Sequence, residues 1–102
     1  MKRMIVQYKV KPELAAENQR YVEAVYEELR ATAPEGVRYV TFKGEDGVSF
    51  THIVSYETET NENPIAQLKA FQKFQAEIGD RCTEGPVSTA IETVGSYRVF
   101  GS

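Results

Sequence analysis

The fold of this chain is decided by the seven residues from Phe50 to Tyr56, whose sequence is FTHIVSY. Bulky side chains occupy every second position, which is the period of a β-strand whose two faces have different surroundings. The bulky set includes His52, the only histidine of the chain. We therefore predict a strand with one face toward a protein core and a second, partly polar face turned away from it.

Two more strand patterns precede this stretch. The segments Met4 to Val10 and Val37 to Lys43 both alternate apolar and polar residues. The pair Asp46 and Gly47 separates the second pattern from the third strand, which is predicted from Val48 to about Glu57. An Asp-Gly pair tolerates the positive φ angles of a tight turn, so we expect these two strands to form an antiparallel hairpin.

Helical spacing of apolar residues predicts two amphipathic helices. The first is expected from Glu13 to Ala33, and the second begins after Asn63, a suitable N-cap, and ends near Gly79 as its C-cap. A loop is expected from Asp80 to Pro86. A long last strand, rich in threonine and valine, is predicted from Val87 to Phe100, with a bend at a glycine.

The predicted order of elements is strand, helix, strand, strand, helix, strand. This βαββαβ order is typical of the α+β ferredoxin-like fold, a four-stranded antiparallel sheet with two helices on one face. We expect one domain over residues 1–102. The uncovered sheet face would carry Ile5, Ile53, Val94 and Phe100, an apolar patch that a second copy of the chain is expected to cover in a homodimer.

Composition excludes several classes of protein. Lys and Arg together number 12 and Asp and Glu 15, and this acidic excess offers no surface for nucleic acid. No apolar run reaches the ~18 to 20 residues of a membrane helix. The lone cysteine, Cys82, and the lone histidine fall short of a metal site. Because Cys82 has no partner for an internal disulfide, we expect a reducing, cytoplasmic compartment.

Taken together, these elements resemble the dimeric α/β-barrel superfamily, and most of all its antibiotic-biosynthesis-monooxygenase-type branch. The resemblance covers nearly all of the chain: the opening strand Met4 to Val10, the hairpin closed by Asp46 and Gly47, the helix Ala66 to Phe74 and the long closing strand. It implies that two ferredoxin-like subunits pair sheet to sheet into a barrel. It also implies a ligand cavity in each subunit, between the sheet and the helices.

The resemblance implies more than one activity, since the superfamily includes cofactor-independent monooxygenases of polycyclic aromatics, haem-degrading enzymes, isomerases and decarboxylases. Haem-degrading members use a histidine on the second helix and a tryptophan. Residues Ala66 to Ile78 contain no histidine and the chain has no tryptophan, so neither haem nor another cofactor is expected. Two functions stay open: a monooxygenase-like enzyme acting on an aromatic small molecule, or a non-catalytic small-molecule-binding or structural dimer.

His52 is the candidate catalytic residue. An imidazole on the apolar face of its strand can serve as a general base or hold the enolate of a phenolic substrate, but it can equally be a core histidine satisfied by a hydrogen bond. The residues expected to orient its second ring nitrogen are Gln7, Tyr8 and Tyr39.

Aromatic residues on the same side of the sheet are predicted to line a ligand cavity around this histidine. A pocket with an apolar wall and a few polar groups is the usual form of a small-molecule site. The same residues also describe a filled core, because tyrosine often buries its ring there. The predicted ligand-binding residues are Tyr8, Tyr39, Phe50, Tyr56 and Phe71.

Overall fold

One four-stranded antiparallel sheet carries helices on one of its faces, as the computed structural model shows for residues 2–58 and 63–99. Short 3-10 turns at Pro12–Leu14 and Pro64–Gln67 precede the two longer helices. This architecture confirms the predicted ferredoxin-like fold class. In chain order the elements are β1 (Lys2–Val10), α1 (Ala15–Thr32), β2 (Val37–Lys43), β3 (Ser49–Tyr56), α2 (Lys69–Ala76), α3 (Ile78–Arg81) and β4 (Cys82–Ala90).

The sheet has the strand order β2-β3-β1-β4, so β3 has a neighbour on both sides. His52 lies opposite Thr41 of β2, and both point toward the helices. The next residue, Ile53, lies opposite Val40 of β2 and Ile5 of β1. Since successive side chains point to opposite faces, these three residues form an apolar row on the face that the helices leave open.

The core lies between the sheet and the helices. All four predicted inward residues of β3 are buried, and His52 lies among them with 3% of its surface exposed. Each fully buried large apolar side chain stabilises the fold by roughly 1.5–3 kcal/mol. The buried apolar residues are Tyr8, Val10, Val22, Val25, Phe50, Val54, Tyr56, Ile65, Leu68 and Phe74.

The second helical region is divided, where one continuous helix ending near Gly79 was predicted. Asn63 is an N-cap, as predicted, since its Oδ1 accepts the N–H of Ile65 at 3.0 Å. The backbone is then extended at Leu68 (ψ 134) and leaves the helical region again at Glu77 (φ −127). Gly79 lies inside the short helix α3, so its prediction as a C-cap was wrong.

The last strand lies earlier in the chain than predicted. The segment Asp80 to Pro86 was expected to be a loop, but helix α3 continues through Arg81, and β4 begins at Cys82 and ends at Ala90. Pairing with the free edge of β1 explains the difference, because β1 supplies backbone partners to β4 from Met4 onward. Residues 91–99 form no strand, and Phe100 lies outside the described residues.

A carboxylate from α1 holds the beginning of α2. Glu28 accepts the backbone N–H of Ala70 at 2.7 Å through Oε1 and that of Lys69 at 3.2 Å through Oε2. The first N–H groups of a helix have no partner within the helix, and a negative charge is favourable there. The contact therefore ties α1 to the helix that carries Phe71 and Phe74.

We expect Glu28→Ala to lower the free energy of unfolding by about 1–2 kcal/mol, because two N–H groups lose their acceptor. Urea unfolding would measure the change. Glu27→Ala is the matched control, since it removes the same charge from an exposed neighbouring position on α1. Equal losses in the two variants would show that the cap contributes nothing beyond its charge.

Candidate functional site

A cavity of about 400 Å³ lies between the sheet and the segment that contains α2. This volume falls in the range of small-molecule sites, which are usually ~300–1,000 Å³ with mostly apolar walls. Apolar and aromatic side chains make up most of the wall, and the polar exceptions are few. The lining residues are Met4, Val6, Tyr39, His52, Val54, Tyr56, Asn63, Ile65, Ala66, Phe71, Phe74, Gln75, Ile78, Pro86 and Ser88.

Four of the six predicted site residues lie in this wall: His52, Tyr39, Tyr56 and Phe71. The other two, Tyr8 and Phe50, lie behind it in the core. The Tyr8 ring stacks on Phe50, with ring centroids 5.5 Å apart and an interplanar angle of 9°. These two residues therefore support the site from behind.

The imidazole of His52 is held by hydrogen bonds at both ring nitrogens. Its Nε2 lies 2.8 Å from Tyr8 Oη, and its Nδ1 lies 2.6 Å from Tyr39 Oη and 3.0 Å from Thr41 Oγ1. Two of the three predicted orienting residues, Tyr8 and Tyr39, thus contact the ring. Gln7 does not, because its odd-numbered position places it opposite Thr51 on the other face of the sheet.

Burial keeps His52, Tyr8 and Tyr39 uncharged at neutral pH. It lowers the pKa of His52 from 6.5 to about 4, since an imidazolium would lose its hydration there. Burial also raises the pKa values of Tyr8 and Tyr39 above the ordinary value for a phenol. The imidazole is consequently a weak base, and both tyrosines keep their hydroxyl hydrogens.

Two polar residues that the sequence did not suggest complete the cluster. Asn18 is fully buried, and its Nδ2 donates to Tyr8 Oη at 3.0 Å. Arg81 is 3% exposed, and its Nε donates to Asn18 Oδ1 at 3.0 Å. Asn18 precedes Val22 by four residues and Val25 by seven, so the helical spacing of α1 could have indicated that its side chain is buried. No such signal existed for Arg81, because it lay in a predicted loop.

Other chemistry finds little support in the described part of the chain. No group of three or more His, Cys, Asp or Glu side chains there could hold a metal ion. Cys82 is half-buried, and burial raises the pKa of its thiol, which leaves it without the activation of a nucleophile. None of the described helices is both long and apolar enough to cross a membrane.

Among the comparisons with known proteins, only the solved structures are similar to this chain, and they identify its fold. No protein-family model matches the chain, and no curated protein matches it. A solved structure of a Mycobacterium tuberculosis protein is similar to it with a TM-score of 0.75 and 16% identity, over 93% of this chain and 96% of that one. A crystal structure of an antibiotic biosynthesis monooxygenase is similar with a TM-score of 0.75 and 17% identity, over 93% and 100%.

A third structure, provisionally named an antibiotic biosynthesis monooxygenase, comes from Nitrosomonas europaea. It is 15% identical, with a TM-score of 0.76, over 93% of this chain and 100% of that one. The chain is therefore an α+β protein of the ferredoxin-like class. More particularly, it has the fold found in structures named antibiotic biosynthesis monooxygenase, as its sequence pattern predicted.

Proposed function

We propose that this chain is a homodimeric, cofactor-independent monooxygenase-like enzyme that acts on an aromatic small molecule. The observation that carries the proposal is the cavity of about 400 Å³, whose apolar wall includes the hydrogen-bonded pair His52 and Tyr39. The names of similar structures point to the same activity. Their low identity to this chain leaves the substrate to be argued from the cavity.

The wall of the cavity favours a planar aromatic ligand. Phe71 and Phe74 lie on the side of α2, with ring centroids 6.0 Å apart at an angle of 41°, and Tyr56 lines the cavity from β3. Aromatic rings attract one another in offset and tilted arrangements such as this one. A ligand with two or three fused rings would displace water from these surfaces and gain most of its affinity there.

In this proposal, His52 acts through Tyr39. Both imidazole nitrogens are already bonded to protein hydroxyls, and a pKa of about 4 makes the ring a poor acceptor of a phenol proton. The Tyr39 hydroxyl is the polar group of this pair that a substrate oxygen would meet in the wall. His52 orients and polarises that hydroxyl through its Nδ1.

A non-catalytic binding protein is the second candidate, and the bonding of His52 favours it. An imidazole whose two nitrogens are both occupied is what a purely structural core histidine requires. Such a protein would bind the same class of ligand without chemical change. The two candidates therefore differ in oxygen uptake and product formation, with ligand binding common to both.

We expect fluorene, a planar tricyclic hydrocarbon, to raise the melting temperature, since a ligand at ~100-fold its Kd stabilises the folded state by ~2.7 kcal/mol. Ala66→Phe, at an exposed lining position, should obstruct the cavity and remove the shift. Gln67→Phe is the matched control, because this adjacent exposed residue does not line the cavity. If neither fluorene nor polycyclic phenols stabilise the wild type, the cavity is not an aromatic site.

Oxygen uptake separates the enzyme from the binding protein. Polycyclic phenols that bind are incubated with the protein in air, and both oxygen consumption and oxygenated product are measured. We expect Tyr39→Phe to lower the rate while His52→Gln, which keeps a polar group on β3, lowers it less. Binding without oxygen uptake would leave the second candidate as the function.

The homodimer is part of the proposal because the open sheet face carries an apolar patch. Phe42 is 38% exposed and Val87 62% exposed, beside the central row of Ile5, Val40 and Ile53. Val94, in the segment that follows β4, is fully exposed. Val94 therefore does not lie on the sheet itself, although the sequence pattern predicted that it would. A second copy packed on the sheet face would remove Phe42, Val87 and the central row from water, as two-fold dimers commonly do.

A further inference from the structure

A continuous chain of hydrogen bonds runs from a buried cation to the cavity wall. It passes from Arg81 to Asn18 at 3.0 Å, to Tyr8 at 3.0 Å, to His52 at 2.8 Å and to Tyr39 at 2.6 Å. Only His52 and Tyr39 line the cavity. The other three residues join α1, β1 and α3 behind the wall, so any role they have in ligand recognition is indirect.

The direction of this chain follows from the chemistry of its first member. A guanidinium has hydrogen-bond donors and no acceptor, so the oxygen of the Asn18 amide faces Arg81 and its NH₂ group faces Tyr8. The Tyr8 oxygen therefore accepts from Asn18 and keeps its own hydrogen to donate. Among the described residues, His52 Nε2 is the acceptor available to that hydrogen, at 2.8 Å.

The tautomer of the histidine is thereby determined. A neutral imidazole carries one hydrogen, and since Nε2 accepts from Tyr8, the hydrogen resides on Nδ1. Nδ1–H then donates to Tyr39 Oη at 2.6 Å, with Thr41 Oγ1 at 3.0 Å as a weaker second acceptor. The Tyr39 hydroxyl hydrogen is left for Thr41 or for an oxygen atom of a ligand.

We infer that Arg81 and Asn18 are positioning residues that hold His52 as the Nδ1–H tautomer, so that Tyr39 presents a donor to the cavity and selects aromatic ligands with an acceptor oxygen. The ligand class is an aromatic ketone, quinone or phenolate. The part that concerns the ligand rests on the proposed aromatic site. The part that concerns the tautomer rests on the hydrogen-bond chain alone.

The charge at the far end of the chain supports the same selectivity. Arg81 forms no ion pair with any carboxylate of the described residues; its other contacts are the Phe74 carbonyl oxygen at 2.6 Å and the faces of Tyr21 and Phe74. Successive hydrogen bonds that point the same way polarise one another. A positive charge behind such a chain favours negative charge on a ligand oxygen at its other end.

Nitrogen-15 NMR of the single histidine tests the tautomer without any ligand. At pH 7, long-range proton–nitrogen spectra of the labelled wild type should show hydrogen on Nδ1. In Asn18→Asp the new carboxylate has only acceptors, so it accepts hydrogen bonds from both Arg81 and Tyr8. Tyr8 then no longer donates to His52, and the hydrogen of the imidazole should move from Nδ1 to Nε2. A wild-type histidine with hydrogen on Nε2, or an Asn18→Asp variant with an unchanged tautomer, would overturn the inference; the wild-type spectrum decides if the variant does not fold.

Fluorenone and fluorene test the ligand class, because they share a planar tricyclic shape and differ by one carbonyl oxygen. One added hydrogen bond should make fluorenone bind about 3- to 10-fold more tightly to the wild type. Tyr39→Phe should abolish this preference, and Tyr97→Phe, which removes an exposed hydroxyl outside the cavity wall, should keep it.

The outcomes separate the inference from the proposed function. Equal affinity of the wild type for the two compounds would overturn the ligand class and leave the aromatic site in place. Failure of both compounds to bind would count against the proposed aromatic site. In that case the NMR result alone would decide whether Arg81 and Asn18 hold the tautomer.

Discussion

Acidification from pH 6.5 to pH 4 is expected to lower the free energy of unfolding by about 3 kcal/mol through His52 alone. The cause is burial, since this side chain is 3% exposed and an imidazolium in its place would have no acidic partner in the hydrogen-bonded cluster. The protein should therefore be most stable with the imidazole neutral.

The sign of the effect follows from the two pKa values. In the unfolded chain His52 takes up a proton near pH 6.5, whereas in the folded protein it does so near pH 4. Between these values the unfolded state binds the extra proton, so lowering the pH favours unfolding. The stabilisation is fully present above pH 6.5 and is lost by about pH 4.

Urea unfolding at a series of pH values and a fixed protein concentration measures the slope. The interval from pH 6.5 to 5 is the most informative, because His52 is the only histidine and most carboxylates titrate at lower pH. His52→Gln should flatten the slope in this interval. An NMR titration that places the folded-state pKa near 6.5 would contradict the prediction directly.

Ile53→Glu is expected to convert the proposed homodimer into a monomer. Ile53 occupies the centre of the open sheet face, between Ile5 and Val40. In a sheet-to-sheet dimer, the two-fold axis would bring two new carboxylates into an apolar interface without partners. Leaving a buried charge unpaired costs ~3–5 kcal/mol, so the dimer should dissociate at least about 100-fold more readily.

Light scattering at micromolar concentration measures the change, and circular dichroism shows whether the variant keeps its fold. Ala16→Glu is the matched control, because it adds the same charge at an exposed position on α1, away from the sheet. We expect this control to remain dimeric. A wild type that is monomeric at these concentrations would remove the homodimer from the proposed function.

Much of the fold could be predicted because apolar residues at every second position of a strand indicate which of its faces is buried. Every second residue of β3 from Phe50 to Tyr56 is buried, as the pattern predicts, although Ser55 on the other face is buried too. The hairpin at Asp46 and Gly47 joins β2 to β3 as its turn residues indicate. The last strand was placed wrongly. Its start depends on pairing with the β1 edge, which is a contact between residues distant in sequence.

The candidate site was predictable only in part. The alternation of side chains along each strand could group the residues that share a face with His52. It does not say how deep each side chain lies. Tyr39 and Tyr56 reach the cavity, whereas Tyr8 and Phe50 lie behind its wall. That difference arises from the packing of α1 and α2 over the sheet, which no local pattern encodes.

By itself, the sequence determined that Phe50 to Tyr56 is a strand with two differently used faces and that His52 lies on the inner one, because burial of apolar side chains imposes the strand period. Only the tertiary structure decided what surrounds the imidazole. Asn18 and Arg81 are 63 residues apart in sequence and lie on different helices. They join Tyr8 and His52 in one chain of hydrogen bonds because the folded protein must satisfy its buried polar groups.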